Sequence, residues 1–286
     1  MRRAWTGVVL GVAGAVFLSA LAVAQNSEPR SPWKYYPEDA RKNVGDGGPA
    51  PKRDLTGTWA GESSGAGVER LVPPESPPPL TPLGKQLFER NRAEGGRGGI
   101  TIAESNDPHV RYCDPFGFPR NMNDQIRSMT ITTLPDRTFV LLKFMTIWRE
   151  IWMDGRALPT NFSRGKDVHD PTYNGYSVGR WDDDYTFVVE TTGMLAKTWL
   201  DHAGRPHSDK LVVDETFHRI SLDTIEYTQK ITDPVMYAEP WIATNKLPMH
   251  LLPDDFDIPE LLCSPSEFAE YNNQVATPVL RDSSKK

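Results

Sequence analysis

From Ile126 onward, apolar and polar side chains alternate in short runs, the period of a strand buried on one face. The runs are Ile126–Leu134, Arg137–Phe144, Ile147–Met153, Gly175–Trp181, Tyr185–Thr191, Lys210–Ile220 and Thr224–Thr232. Turn signals separate several of them: Pro135-Asp136, Asp154-Gly155, Asp182–Asp184 and Leu222-Asp223. Residues 157–174 have no clear period and read as a loop. Short strands with local turns predict an antiparallel meander, closed as a barrel or packed as a sandwich.

Helical signals are few and short. Thr81 is placed to cap a helix with Pro82 at its first position, and Leu83 and Leu87 share a face. Ser264-Pro265-Ser266-Glu267 is a capping-box pattern and predicts a short closing helix. The fold class is all-β with short peripheral helices, and one β-rich domain is expected over residues 54–286.

The N-terminal region reads differently. Arg2 and Arg3 precede an uncharged apolar run, Trp5 to Val23, and Ala22-Val23-Ala24 offers a cleavage site. Residues 1–24 are expected to be a signal peptide, the alternative being a retained membrane anchor. Residues 25–53, rich in Pro, Gly, Lys and Asp, read as a flexible linker. A periplasmic or secreted location follows, without stable membrane insertion after processing. Gly95–Gly99 lacks the Lys-Ser/Thr of a phosphate loop. The net charge of −6 and pI near 5.6 point away from nucleic acid as a partner. In an exported chain, Cys113 and Cys263 are expected to form a disulfide, the alternative being two separate buried thiols.

Strand parity singles out charges on apolar faces. Glu215 lies among Leu211, Val213 and Phe217, with Arg219 at the end of the same face. Arg149 interrupts the stripe of Ile147, Ile151 and Met153, and Gln229 shares a face with Ile225, Tyr227 and Ile231. An isolated buried charge is very costly. Glu215, Arg149, Arg219 and Gln229 are therefore expected to meet as an inward polar cluster, either a structural ion pair or the floor of a ligand site. The loop between Gly193 and Asp209 adds Trp199, Asp201 and His207. His207 can exchange protons near neutrality, and Asp201 or Asp209 could orient it. Asp201, His202, His207 and Asp209 match no standard metal-ligand spacing, so neither metal nor cofactor is expected.

Two resemblances extend this reading. Gly57-x-Trp59, at the start of a strand, resembles the entry motif of calycin (lipocalin-type) barrels. Five further motifs resemble a group of exported proteins from environmental Gram-negative bacteria. They are Cys113-Asp114-Pro115-x-Gly117-Phe118-Pro119-Arg120, Met153-Asp154-Gly155-Arg156, Gly175-Tyr176-Ser177-x-Gly179-Arg180-Trp181, Lys197-Thr198-Trp199-Leu200-Asp201-x-x-Gly204-x-Pro206-His207-Ser208-Asp209 and Asp233-Pro234-x-x-Tyr237-x-x-Pro240-Trp241. The chain departs from that pattern at Asp182–Asp184, which lacks a glycine. The resemblance implies grouping and export but no reaction, and draws Arg120, Arg156, Trp199, Asp201 and His207 together.

Two functions fit. The first is a cofactor-independent acid–base enzyme (isomerase, lyase or hydratase) with an aromatic-lined pocket for a small, largely apolar molecule. His207, Asp201 and Glu215 would exchange protons, and Arg149 or Arg156 would hold a carboxylate, phenolate or carbonyl oxygen. Arg120, Trp199 and Gln229 complete the substrate-binding set. The second is a non-catalytic periplasmic carrier built on the same barrel.

Overall fold

Nine strands close into a barrel in a computed structural model that describes residues 47–61, 78–94, 100–123, 128–162, 169–254, 256–258 and 260–276. The expected signal peptide, linker residues 25–46, Gly95–Gly99 and the first residues of the Ile126 run lie outside the described residues. The strands are β1 (Gly57–Gly61), β2 (Met129–Thr133), β3 (Arg137–Leu142), β4 (Ile147–Trp152), β5 (Tyr176–Trp181), β6 (Thr186–Thr192), β7 (Val212–Arg219), β8 (Thr224–Thr232) and β9 (Trp241–Leu251). Each pairs with its sequence neighbours, and β9 closes on β1.

The expected meander is present, with one correction to its antiparallel pairing. β4 and β5 run parallel, joined through Ile151 opposite Ser177 and Trp152 opposite Val178. A closed ring with an odd number of strands cannot alternate direction all the way round, so nine strands require a parallel joint. It falls where the connection is long enough to bring the chain back to its starting edge, between Trp152 and Tyr176. β9 has no counterpart among the runs read from the sequence. Its buried positions do not alternate, because two irregularities interrupt its pairing with β8, and an interrupted period hides a strand.

Side chains line the barrel interior. Alternate residues of β7 and β8 point inward, among them Val213, Phe217, Ile225 and Tyr227. Phe118 and Met122, from the segment before β2, are buried in the same core. Gly179 on β5 makes room: a Cβ there would come within 2.5 Å of the Phe187 ring. Around the barrel lie α1 (Pro82–Arg90), α2 (Pro108–Tyr112), α3 (Arg120–Asn123) and α4 (Pro265–Tyr271). Thr81 caps α1 by accepting from the Gly84 amide at 3.1 Å. Gly84 sits so close to the Met236 carbonyl that a Cβ would approach its oxygen to 2.2 Å, which is why α1 can lie against the Asp233–Tyr237 turn.

Arg219 does not join the inward cluster. Its guanidinium turns to one end of the barrel, 4.9 Å from the centre of the Trp59 ring, and donates to the carbonyls of Asp54, Ser221 and Leu222. It satisfies backbone acceptors where the chain enters β1 and turns into β8. Parity assigns a residue to a face but cannot tell where along that face a long side chain ends.

Cys113 and Cys263 form a disulfide, with Cα atoms 5.5 Å apart. It ties the segment leading into α4 to the residue following α2. Cys113→Ser with Cys263→Ser should lower unfolding stability by about 2–5 kcal/mol. In hydrogen exchange, protection should fall over residues 260–276 while β6 to β8 remain protected. Unchanged exchange over that segment would show that the bond does not hold it.

Candidate functional site

The inward polar cluster centres on Arg149 of β4 and Glu215 of β7, with side chains 2% and 0% exposed. They form a two-pronged ion pair: Nη1 donates to Oε1 at 2.9 Å and Nη2 to Oε2 at 2.5 Å. Arg149 Nε donates to Ser177 Oγ at 3.0 Å and Nη2 to Thr191 Oγ1 at 2.7 Å. The guanidinium lies 3.9 Å from the centre of the Phe118 ring. A planar guanidinium suits this arrangement, since it forks onto a carboxylate while its face stacks on an aromatic ring.

The network continues along β8 in a fixed direction. Glu215 Oε1 accepts from the Tyr227 hydroxyl at 2.9 Å. Burial, followed by the neighbouring Glu215 charge, holds Tyr227 well above its ordinary pKa, so the hydroxyl keeps its proton. Having donated that proton, the Tyr227 oxygen accepts from Gln229 Nε2 at 2.8 Å. The Gln229 amide orientation is thereby set. Its Oε1 is buried without a protein partner.

Arg149, Glu215 and Gln229 are thus brought together as expected. Ser177, Thr191 and Tyr227 also belong to the network. The same parity test could have found Ser177 and Thr191, which are polar exceptions at buried positions of β5 and β6.

The remaining candidates lie elsewhere. In the loop after β6, Trp199 bridges to Pro206 across a small hairpin, and Leu200 N donates to Arg205 O at 2.8 Å. Asp201 accepts from Arg205, both at Nη1 and at the backbone amide. His207 is buried between Thr198 Oγ1, 2.8 Å from Nε2, and the Ser208 carbonyl, 3.1 Å from Nδ1. The expectation that Asp201 or Asp209 orients His207 is corrected: Asp201 is held by Arg205 and Asp209 pairs with Lys210. Four residues along one loop can close on separate local partners, which sequence distance does not reveal. Asp233, missed as an anchor, accepts from Ser208 N at 2.6 Å and Ser208 Oγ at 2.8 Å. Tyr237 donates to the Pro206 carbonyl at 2.9 Å.

Arg120 forms a buried two-pronged pair with Asp107 at 2.9 and 2.7 Å, 4.4 Å from the Phe116 ring centre and 5.7 Å from that of Trp199. Arg156 is part-exposed. It pairs with Asp154, donates to the Tyr176 hydroxyl at 2.9 Å and lies 3.5 Å from the Trp152 ring centre. Of the motif grouping, Arg120 lies against Trp199, whereas Arg156 is held by Asp154 and Tyr176. Among the described residues, no three His, Cys, Asp or Glu side chains assemble as a metal-ligand set.

These geometries set the chemistry. Glu215 has both oxygens engaged, by Arg149 and Tyr227, and its charge is matched by Arg149. Burial pushes the His207 imidazole below its ordinary pKa of 6.5, so it is neutral at neutral pH. In that form Nδ1 donates to the Ser208 carbonyl and Nε2 accepts from Thr198. Both nitrogens serve the loop.

Arg149→Met should destabilise the fold by about 3–5 kcal/mol, because it leaves Glu215 as an uncompensated buried charge. Adding Glu215→Gln should recover much of that loss in urea unfolding. Equal losses in the single and double variants would mean that the pair is not coupled. A folded-state His207 pKa below the unfolded 6.5 means that the native state resists protonation. Its contribution is complete above pH 6.5 and is lost as pH falls below that value. His109 is depressed in the same direction by burial and adds to the effect. His207→Gln should therefore flatten the fall in stability below pH 6.5. An unchanged slope would place the titration elsewhere.

No protein-family model, curated protein or solved structure matches this chain.

Proposed function

We propose that this chain is an exported, small-molecule-binding β-barrel, and that it acts as a carrier rather than an acid–base catalyst. The observation that carries the reading is the inward polar network ending at Gln229 Oε1. A closed barrel with a buried aromatic cluster surrounds it. A buried acceptor without a protein partner costs about 1–3 kcal/mol unless water or a ligand satisfies it. The network costs stability and orders one oxygen inside the barrel, which suits a wall that orients a bound molecule.

The acid–base reading loses support at the same point. Its proposed base, Glu215, accepts from Arg149 and Tyr227, and His207 and Asp201 are engaged with loop partners. Export is part of the proposal. It draws on the charge and apolar pattern of residues 1–24, on the motif resemblance over residues 113–241, and on the Cys113–Cys263 disulfide, a bond favoured in oxidising compartments. No helix among the described residues is long and apolar enough to cross a membrane.

The test is native mass spectrometry of the exported protein purified without organic solvent. A low-mass organic compound should accompany the folded chain, leave on unfolding and remain chemically unchanged after prolonged incubation. Conversion of the compound at a rate sensitive to His207→Gln would restore the enzyme reading. A chain that never carries a ligand would overturn the binding reading.

A further inference from the structure

We infer that the ligand is neutral and carries both a hydrogen-bond donor and an acceptor, and that the inner wall made by β8 and β9 recognises it. This inference rests on the binding reading above. Three buried polar atoms without protein partners lie along that wall: Gln229 Oε1, Thr244 Oγ1 and Trp241 Nε1. Gln229 and Thr244 are opposite each other in the ladder, and Trp241 is opposite Ile231, two residues from Gln229 on the same face of β8. Trp241 packs against the core and lies 5.3 Å, centre to centre, from the Tyr237 ring.

The backbone provides a second, independent observation. Register shifts flank Gln229 on both sides: Tyr227 pairs with Leu247, Gln229 with Thr244 and Lys230 with Ile242. Each shift places an extra residue on β9, and such bulges re-aim side chains next to binding sites. Without them, regular pairing with Leu247 would set Asn245 opposite Gln229; the shift brings Thr244 there instead. The irregularity that hides β9 from sequence periodicity is thus the one that gives this wall its polar character.

Ligand chemistry follows from the atoms. Gln229 Oε1 accepts only, so it takes a hydroxyl or amine hydrogen. Trp241 Nε1 donates only, so it takes a carbonyl or ether oxygen, and the Thr244 hydroxyl can serve either. Alternate inward positions of a strand are about 7 Å apart, roughly the span of a benzene ring with polar groups at opposite ends. The interior rings, including Phe217 and Tyr227, 4.9 Å apart, suit an aromatic body. An anionic ligand is disfavoured. Arg149 is charge-matched by Glu215 and already makes four hydrogen bonds, so a second buried negative charge would lack a counter-ion. From the sequence, Arg149 or Arg156 is expected to hold a carboxylate, phenolate or carbonyl oxygen; here the β8–β9 wall takes the ligand's polar groups instead, and the ligand is a neutral hydroxy-carbonyl compound.

Three probes of similar size separate the outcomes: 4-hydroxyacetophenone (neutral, donor and acceptor), 4-hydroxybenzoate (anionic at neutral pH) and 4-ethyltoluene (apolar). In a proton–nitrogen correlation spectrum of the exported protein, 4-hydroxyacetophenone should move the indole N–H resonance of Trp241, assigned through Trp241→Phe. Calorimetry should show its binding weakened by about tenfold or more in Thr244→Val and in Gln229→Met, each of which leaves a ligand polar group unpaired. Thr244→Val removes a polar atom without a protein partner, and Gln229→Met removes another together with the Nε2 bond to Tyr227, whose hydroxyl keeps its bond to Glu215, so the fold should survive both. 4-Hydroxybenzoate should bind at least about tenfold more weakly than the ketone. Binding of 4-hydroxybenzoate or 4-ethyltoluene as tight as that of the ketone, or unchanged affinity in both variants, overturns the inference and leaves the binding reading standing. Binding of none of the three, with only water on the wall, overturns both.

Discussion

The Arg149–Glu215 pair is the interaction around which the barrel is organised. Through its hydrogen bonds it joins β4, β5, β6 and β7, and through Tyr227 it reaches β8. It also crosses the weakest seam. The parallel joint between β4 and β5 is held by two paired positions, whereas β7 and β8 pair along eight. Arg149 spans that joint from the inside by donating to Ser177, one of its paired residues. A buried ion pair seldom adds much net stability, since desolvation offsets most of the attraction. Its consequence here is geometric: once the two charges are inside, every neighbouring polar group must be placed to satisfy them.

That requirement propagates outward. An ionised Glu215 makes Tyr227 a donor, Tyr227 as donor makes Gln229 Nε2 its donor in turn, and Gln229 Oε1 is left as an oriented acceptor. The same closure engages both oxygens of Glu215. One arrangement thus weakens the acid–base reading and supplies the polar point on which the binding reading stands. The loop carrying Trp199, Asp201 and His207 is a separate construction, fastened by Asp233 and Tyr237 at one side and by Asn91 and Asn123 at another.

Much of the fold was legible because a strand buried on one face writes its orientation into the sequence at every second residue. Phe217, Glu215 and Val213 were assigned inward by that rule, and they are inward. Within the candidate site, the rule worked for Arg149, Glu215 and Gln229 and would have worked for Ser177 and Thr191. It misplaced Arg219, whose guanidinium meets the carbonyls of Asp54, Ser221 and Leu222, and it does not reach His207 and Asp201, which lie in a loop without a period.

By itself, the sequence determined the all-β class, most strand boundaries, the inward face of each regular strand and the need for opposite charges to meet inside. These are local properties: alternation, turn residues and the cost of an unpaired buried charge act over a few neighbouring positions. The tertiary structure alone decided that nine strands close into a ring, that the ring's odd count is absorbed at β4–β5, and that β9 bulges to set Thr244 and Trp241 beside Gln229. These depend on pairings between residues far apart in the chain. Closure and bulges change which partner a side chain meets without changing the local pattern from which its direction is read.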